Sequence, residues 1–307
     1  MKTKYPIHPD FKNWQNMHPP LNKIMLPIIQ TSLKLLFKQQ KSNPQIDVKR
    51  YLITTNDTKI RALLYCPKDI NNNAPCLIYY HGGGFVLPGA PYHYKLVQQY
   101  ALKAKCKVLF VEYRLAPKYP FPCGVNDCYQ AYLWVRKHHH KLGINQDKII
   151  VAGDSAGAQL ATVVCLKAKD NMEPMPIGQM LVYPVTAHNL QTKSMQLYTD
   201  TPMCNSKDIQ KYSHYYLQDS NLDKLEYYSP YHCNDLSGLP TTYIETAEFD
   251  CLKDEGILYA KKLESFNVLV ELYNTVGTMH GYDIVLNSDI VKNSIEKRID
   301  FLNRIFN

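Results

Sequence analysis

No stretch of this sequence approaches the roughly 20 consecutive apolar residues that a helix needs to cross a bilayer. The apolar patch from Ile24 to Ile29 is short and contains Pro27. Lys2 and Lys4 are followed by polar residues and prolines, not by an apolar core, so no secretory leader is visible. These absences predict a soluble, cytoplasmic protein without stable membrane insertion. Cysteine patterning is also missing: the nine cysteines are odd in number and never show C-x-x-C spacing, which argues against a disulfide framework and a zinc module. They read as small, mostly buried apolar residues. The formal net charge is +8, yet Lys34, Lys38, Lys41, Lys103, Lys105, Lys137, Lys141, Lys261 and Lys262 form no long block. Without a basic stripe or a recognisable module, no nucleic-acid partner is expected. Repeats and low-complexity tracts are absent as well.

The 307 residues are 45% hydrophobic, enough for a substantial core. From about residue 48, short apolar or β-branched runs alternate with helix-like segments, the rhythm of an α/β sheet covered by helices. Eight strands are predicted, at Val48–Thr54, Lys59–Cys66, Ala74–Tyr80, Lys107–Tyr113, Lys148–Gly153, Ile177–Tyr183, Thr241–Thr246 and Val268–Asn274. Asn56-Asp57 is a turn signal that joins the first two as a hairpin. Helices at about Tyr94–Lys105, Asn126–His138, Ala156–Lys169 and Leu252–Glu264 are long enough for crossovers between parallel strands. Val291, Ile295, Ile299, Leu302 and Phe306 share one face of a final helix. Residues 1–45 and 185–232 break the rhythm; they are expected to form a cap over the sheet's C-terminal edge, within a single domain spanning 1–307.

Gly153-Asp154-Ser155-Ala156-Gly157 lies between an apolar strand and a helix-like segment. A strand that reverses sharply into a helix needs small neighbours around its middle residue and projects that residue outward, making Ser155 a candidate nucleophile. Upstream, His81-Gly82-Gly83-Gly84 follows another strand, and consecutive glycines let backbone N–H groups face a ligand; no G-K-[ST] follows, as a phosphate loop would require. The amides of Gly82, Gly83, Gly84 and Ala156 are therefore candidates for an oxyanion hole. Downstream, Asp250 and His280 fall where strands end, on the same sheet edge as Ser155 and in the order Ser, Asp, His. Position alone does not separate Asp250 from Glu245, Glu248, Asp254 and Glu255. The tandem His138-His139-His140 reads as a solvated helix end, and His93, His188, His214 and His232 have no evident partner. No metal or cofactor motif is present.

With these residues in place the chain resembles the hormone-sensitive-lipase-like carboxylesterases, bacterial family IV of the α/β-hydrolase fold, from about residue 72 onward. The matching pieces include His81 to Val86, Tyr113-Arg114-Leu115-Ala116-Pro117, Tyr119-Pro120-Phe121-Pro122, the serine pentapeptide, Ser229-Pro230, Asp235 to Pro240, Asp254-Glu255-Gly256 and His280-Gly281. The resemblance implies a mostly parallel eight-stranded sheet flanked by helices with a helical cap, places the acid at Asp250, and gives His81 a structural role. It implies no cofactor and a small-molecule ester substrate of short to medium acyl chain, with Phe85, Val86 and Leu87 beside the oxyanion turn as substrate contacts. Cys251, Ala158, Lys118 and Tyr282 depart from the family's usual Pro, Gly, Glu and Phe. Amide or acetyl-sugar cleavage by the same residues is the first alternative, and a ligand-binding relative that does not hydrolyse is the alternative of another class. A homo-oligomer is compatible with the sequence. As a neutral base, His280 predicts activity that falls below the ordinary imidazole pKa of ~6.5.

Overall fold

The computed structural model describes residues 4–55, 57–218, 220 and 223–307. Among these residues one sheet contains eight strands: β1 (Ile46–Thr54), β2 (Lys59–Pro67), β3 (Ala74–Tyr80), β4 (Lys107–Glu112), β5 (Ile144–Asp154), β6 (Gly178–Val182), β7 (Thr241–Phe249) and β8 (Val270–Met279). Their spatial order is β1-β2-β4-β3-β5-β6-β7-β8. β1 and β2 pair antiparallel with Thr54 opposite Lys59, and β2 pairs antiparallel with β4; every later pairing is parallel. Asn56 of the expected turn lies outside the described residues.

Central strands are apolar because both faces are covered. In β5, Ile149, Ile150, Val151 and Ala152 are buried together. On one face lie α3 (Cys123–Leu142), α4 (Ala156–Asp170) and α7 (Lys253–Ser265); the other face carries α2 (Pro91–Lys103) and α8 (Asp289–Phe306). The periodic stripe of α8 is buried as its spacing predicts, but it also contains the fully buried Arg298.

Element ends moved more than element types. α3 runs four residues past His138 and stops at Gly143, whose left-handed backbone (φ 64°) ends the helix. β8 extends to Met279, so His280 follows the strand directly instead of sitting in a longer loop. As an edge strand beside β7 it needs only one covered face, and its weak apolar signal hides its length. The segments flanking this rhythm contain a short 3₁₀ turn (Pro9–Trp14) and α1 (Met25–Lys38) at the N-terminal end. Between β6 and β7 lie α5 (Lys193–Leu197) and α6 (Ser206–Leu217). No helix among the described residues is long and apolar enough to cross a membrane.

Candidate active site

The turn between β5 and α4 has a single residue, Ser155, held at φ 54° and ψ −119°. Such a backbone is strained for a residue with a side chain and persists only when its surroundings fix it. Here the Ser155 N–H donates to the Val182 carbonyl at 2.8 Å. Gly157 passes so close to β3 that an added Cβ would lie 2.0 Å from the Tyr80 carbonyl oxygen, which explains the glycine.

Ser155 Oγ lies 2.8 Å from His280 Nε2, and His280 Nδ1 lies 2.7 Å from Asp250 Oδ2. All three side chains are buried, and the Tyr183 ring packs edge-on against the imidazole at 5.0 Å. Asp250 serves two groups, because its Oδ1 also accepts the Leu252 N–H at 2.9 Å. None of its neighbours competes for the histidine. Glu245 pairs with Arg298, Glu248 accepts the Gly277 N–H, Asp254 accepts the Ser194 N–H, and Glu255 accepts the Thr186 N–H. Burial alone would lower the His280 pKa, but the Asp250 carboxylate outweighs it and pushes the imidazole up to about 9.

The glycine-rich turn folds back on itself, with the Gly83 carbonyl accepting from the Val86 and Leu87 N–H groups at 3.0 and 2.8 Å. Gly83 has φ 120°, a conformation that L side chains rarely adopt. Among the described residues no acceptor takes the N–H of Gly83, Gly84 or Ala156, leaving three donors free beside Ser155. Gly82 corrects the expectation for this turn: its N–H donates to Asp154 Oδ1 at 2.9 Å and is not free for an oxyanion. His81 stacks on Tyr113 at 4.4 Å, and burial lowers its pKa to about 4, so it stays neutral. It plays no part in the Ser155 contacts.

Asp154 itself anchors a buried network. It accepts from the Tyr79 hydroxyl at 2.8 Å, from Tyr92 at 3.2 Å and from His93 Nε2 at 3.1 Å. The Ala90 N–H donates to His93 Nδ1 at 2.9 Å, which leaves Nε2 as the protonated nitrogen facing Asp154. Burial opposes the Asp154 charge, yet His93 and these donors hold the carboxyl well below the usual carboxylate range. Nearby, the Tyr183 hydroxyl donates to Asp283 Oδ2 at 3.0 Å, and Asp283 pairs with Arg298 at 2.8 Å. Sequence reasoning missed this chain. Its one visible signal was an aspartate at a pentapeptide position where the motif tolerates any residue.

Above Ser155 lies a largely apolar cavity of about 300 Å³. The glycine turn and His280 line its floor, and Trp14, Met17, Ile29, Leu33, Ile209 and Tyr212 contribute its other walls. The two segments that interrupt the sheet's rhythm therefore meet over Ser155. Phe85 and Leu87 reach this cavity as expected, but Val86 does not. The turn points its side chain into the core, where it is fully buried.

Residues 77–284 match a family model described as the α/β hydrolase fold. The chain belongs to that family. Within it, the hormone-sensitive-lipase-like branch resembled by the motifs is supported by curated relatives. Carboxylesterase NlhH of Mycobacterium tuberculosis is 37% identical over 231 residues, covering 73% of this chain and 72% of the relative. Esterase LipI of the same organism is 33% identical over 247 residues, covering 80% and 77%. Among solved structures, a bacterial heroin esterase superposes with a TM-score of 0.89 at 30% identity over 98% of both chains. This α/β-hydrolase is a serine carboxylesterase of that branch.

Proposed function

We propose that Ser155, His280 and Asp250 carry the ester hydrolysis of this carboxylesterase as nucleophile, base and orienting carboxylate. The hydrogen-bonded series from Ser155 Oγ through His280 to Asp250 supports this reading above all. His280 Nε2 takes the serine proton as Oγ attacks the ester carbonyl, and Asp250 holds the Nδ1–H tautomer and stabilises the imidazolium. The free N–H groups of Gly83, Gly84 and Ala156 receive the oxyanion, with those of Ala156 and its neighbours also at the positive end of α4. The protonated histidine then hands its proton to the departing alcohol. Water attacks the acyl-enzyme with His280 again as base. The whole chain acts as one hydrolase domain, with residues 1–45 and 185–232 as its cap.

The substrate is a small ester whose acyl part is short to medium in length. A cavity of about 300 Å³, walled by apolar side chains, suits such a group and sits at the lower end of ligand-pocket sizes. A p-nitrophenyl ester series from acetate to decanoate should give its highest kcat/KM among the shorter members. The expected fall is about tenfold or more by decanoate, and matched arylacetamides should be cleaved more slowly than their esters. A series still rising at decanoate contradicts the size argument, and faster amide cleavage contradicts the ester preference.

The pH dependence has a definite sign. Only neutral His280 can accept the proton, and Asp250 raises its pKa, so kcat/KM should rise with pH through a midpoint well above ~6.5 and toward about 9. This replaces the expectation drawn from an unperturbed histidine. Initial rates between pH 5 and 10 with a neutral substrate check it, and a midpoint at or below 6.5 would contradict the geometry.

A further inference from the structure

Helix α1 is apolar on two opposite sides. Its inner face buries Leu26 and Phe37 and lends Ile29 and Leu33 to the catalytic cavity. At about 100° per residue, Ile24, at the helix's N-terminal boundary, and Ile28 and Leu35 fall within about 40° of one another on the outward face. Their exposures are 81%, 55% and 54%, and the partly exposed Met25 and Leu36 flank the stripe on one side. Isolated exposed apolar residues are ordinary on a protein surface, whereas an aligned apolar stripe marks an interaction site.

Charge along this segment is one-sided. Between Asp10 and Asp47 the chain holds five lysines, Lys12, Lys23, Lys34, Lys38 and Lys41, and no acidic residue. That is +5 of a total of +8. Lys34 and Lys38 flank the stripe on the side opposite Met25 and Leu36. Two copies of this chain meeting through α1 would set like charges against each other, whereas an anionic surface satisfies both the stripe and the lysines.

We propose that α1 docks this protein peripherally on anionic lipid. Ile24, Ile28 and Leu35 enter the boundary between headgroups and acyl chains while the lysines contact lipid phosphates. The helix lies in the interface plane and does not cross it, its 14 residues being too few to span a bilayer. Docked this way, the cavity beneath α1 lies about one helix diameter, ~10–12 Å, from the lipid boundary where apolar esters collect.

The test is co-sedimentation of the full chain with vesicles of phosphatidylcholine alone and of phosphatidylcholine mixed equally with phosphatidylglycerol. With about a fivefold gain per lysine near an anionic surface, partitioning onto the mixed vesicles should be at least about tenfold stronger and should weaken as salt rises. Ile28→Glu with Leu35→Glu, and separately Lys34→Glu with Lys38→Glu, should each cut it about tenfold or more. Their kcat/KM on a water-soluble ester should stay at the wild-type value. The charge-reversal pair alters only flanking side chains and decides the matter if the apolar pair misfolds. Equal partitioning on both vesicles, no binding, binding untouched by the charge reversals, or a wild-type dimer that those reversals dissociate each overturns the proposal.

Discussion

Ser155→Ala should lower kcat by at least about 10⁴-fold, the largest single effect expected of any substitution. The serine is the only atom donor of the acyl-enzyme bond in the proposed mechanism, and groups that act as a unit lose nearly everything when one is removed. The free amides of Gly83, Gly84 and Ala156 remain in the variant, so a residual rate above that of water is expected from them and from binding. The fold should survive. Ser155 is held by its backbone N–H to Val182, and among the described residues its side chain bonds only His280. Covalent labelling by an organophosphate, followed by mass spectrometry, provides a second measurement independent of substrate choice. Labelling of the alanine variant at the wild-type level would refute Ser155 as nucleophile.

Asp250→Asn should be nearly as damaging, at about 10⁴-fold in kcat, because an amide cannot hold His280 in the same tautomer or stabilise its charge. The amide oxygen can still accept the Leu252 N–H, so the approach to α7 stays supported. A second readout separates this role from a structural one. With the carboxylate gone, burial is no longer outweighed at His280, and the residual activity should show its pH midpoint displaced downward from about 9. A loss of tenfold or less, or an unmoved midpoint, would mean that Asp250 does not act through the histidine.

How much of this site the sequence discloses depends on how local each requirement is. Ser155 and its glycines were legible because a one-residue turn imposes its rules on immediate neighbours, and Gly157 meets Tyr80 for that reason. Asp250 was not separable by position from four nearby carboxylates. Each finds a different partner far away in the chain, such as Arg298 for Glu245 and Thr186 for Glu255, and those pairings arise only when the sheet is assembled. Gly82 looked equivalent to Gly83 and Gly84 because the sequence cannot display the demand of buried Asp154 for donors. Val86 was misplaced because a tight turn sends adjacent side chains in opposite directions. The sheet's eight strands were legible from apolar runs, and their ends were not, as β8 illustrates. Its middle residues alternate between half-buried and exposed as an edge strand does, and only the last two, Thr278 and Met279, are buried.

The guanidinium of Arg298 has an implication for biosynthesis. It belongs to the last helix, yet it bonds Glu245 of β7 and Asp283 three residues beyond the histidine. A chain emerging from the ribosome would display the nucleophile's turn long before it could supply this cation. Until then two buried carboxylates would lack their counter-charge, so the imidazole's loop gains its full support only once α8 has docked. The order of synthesis thus separates the appearance of the serine from the completion of the buried charge pairing beside the histidine's loop.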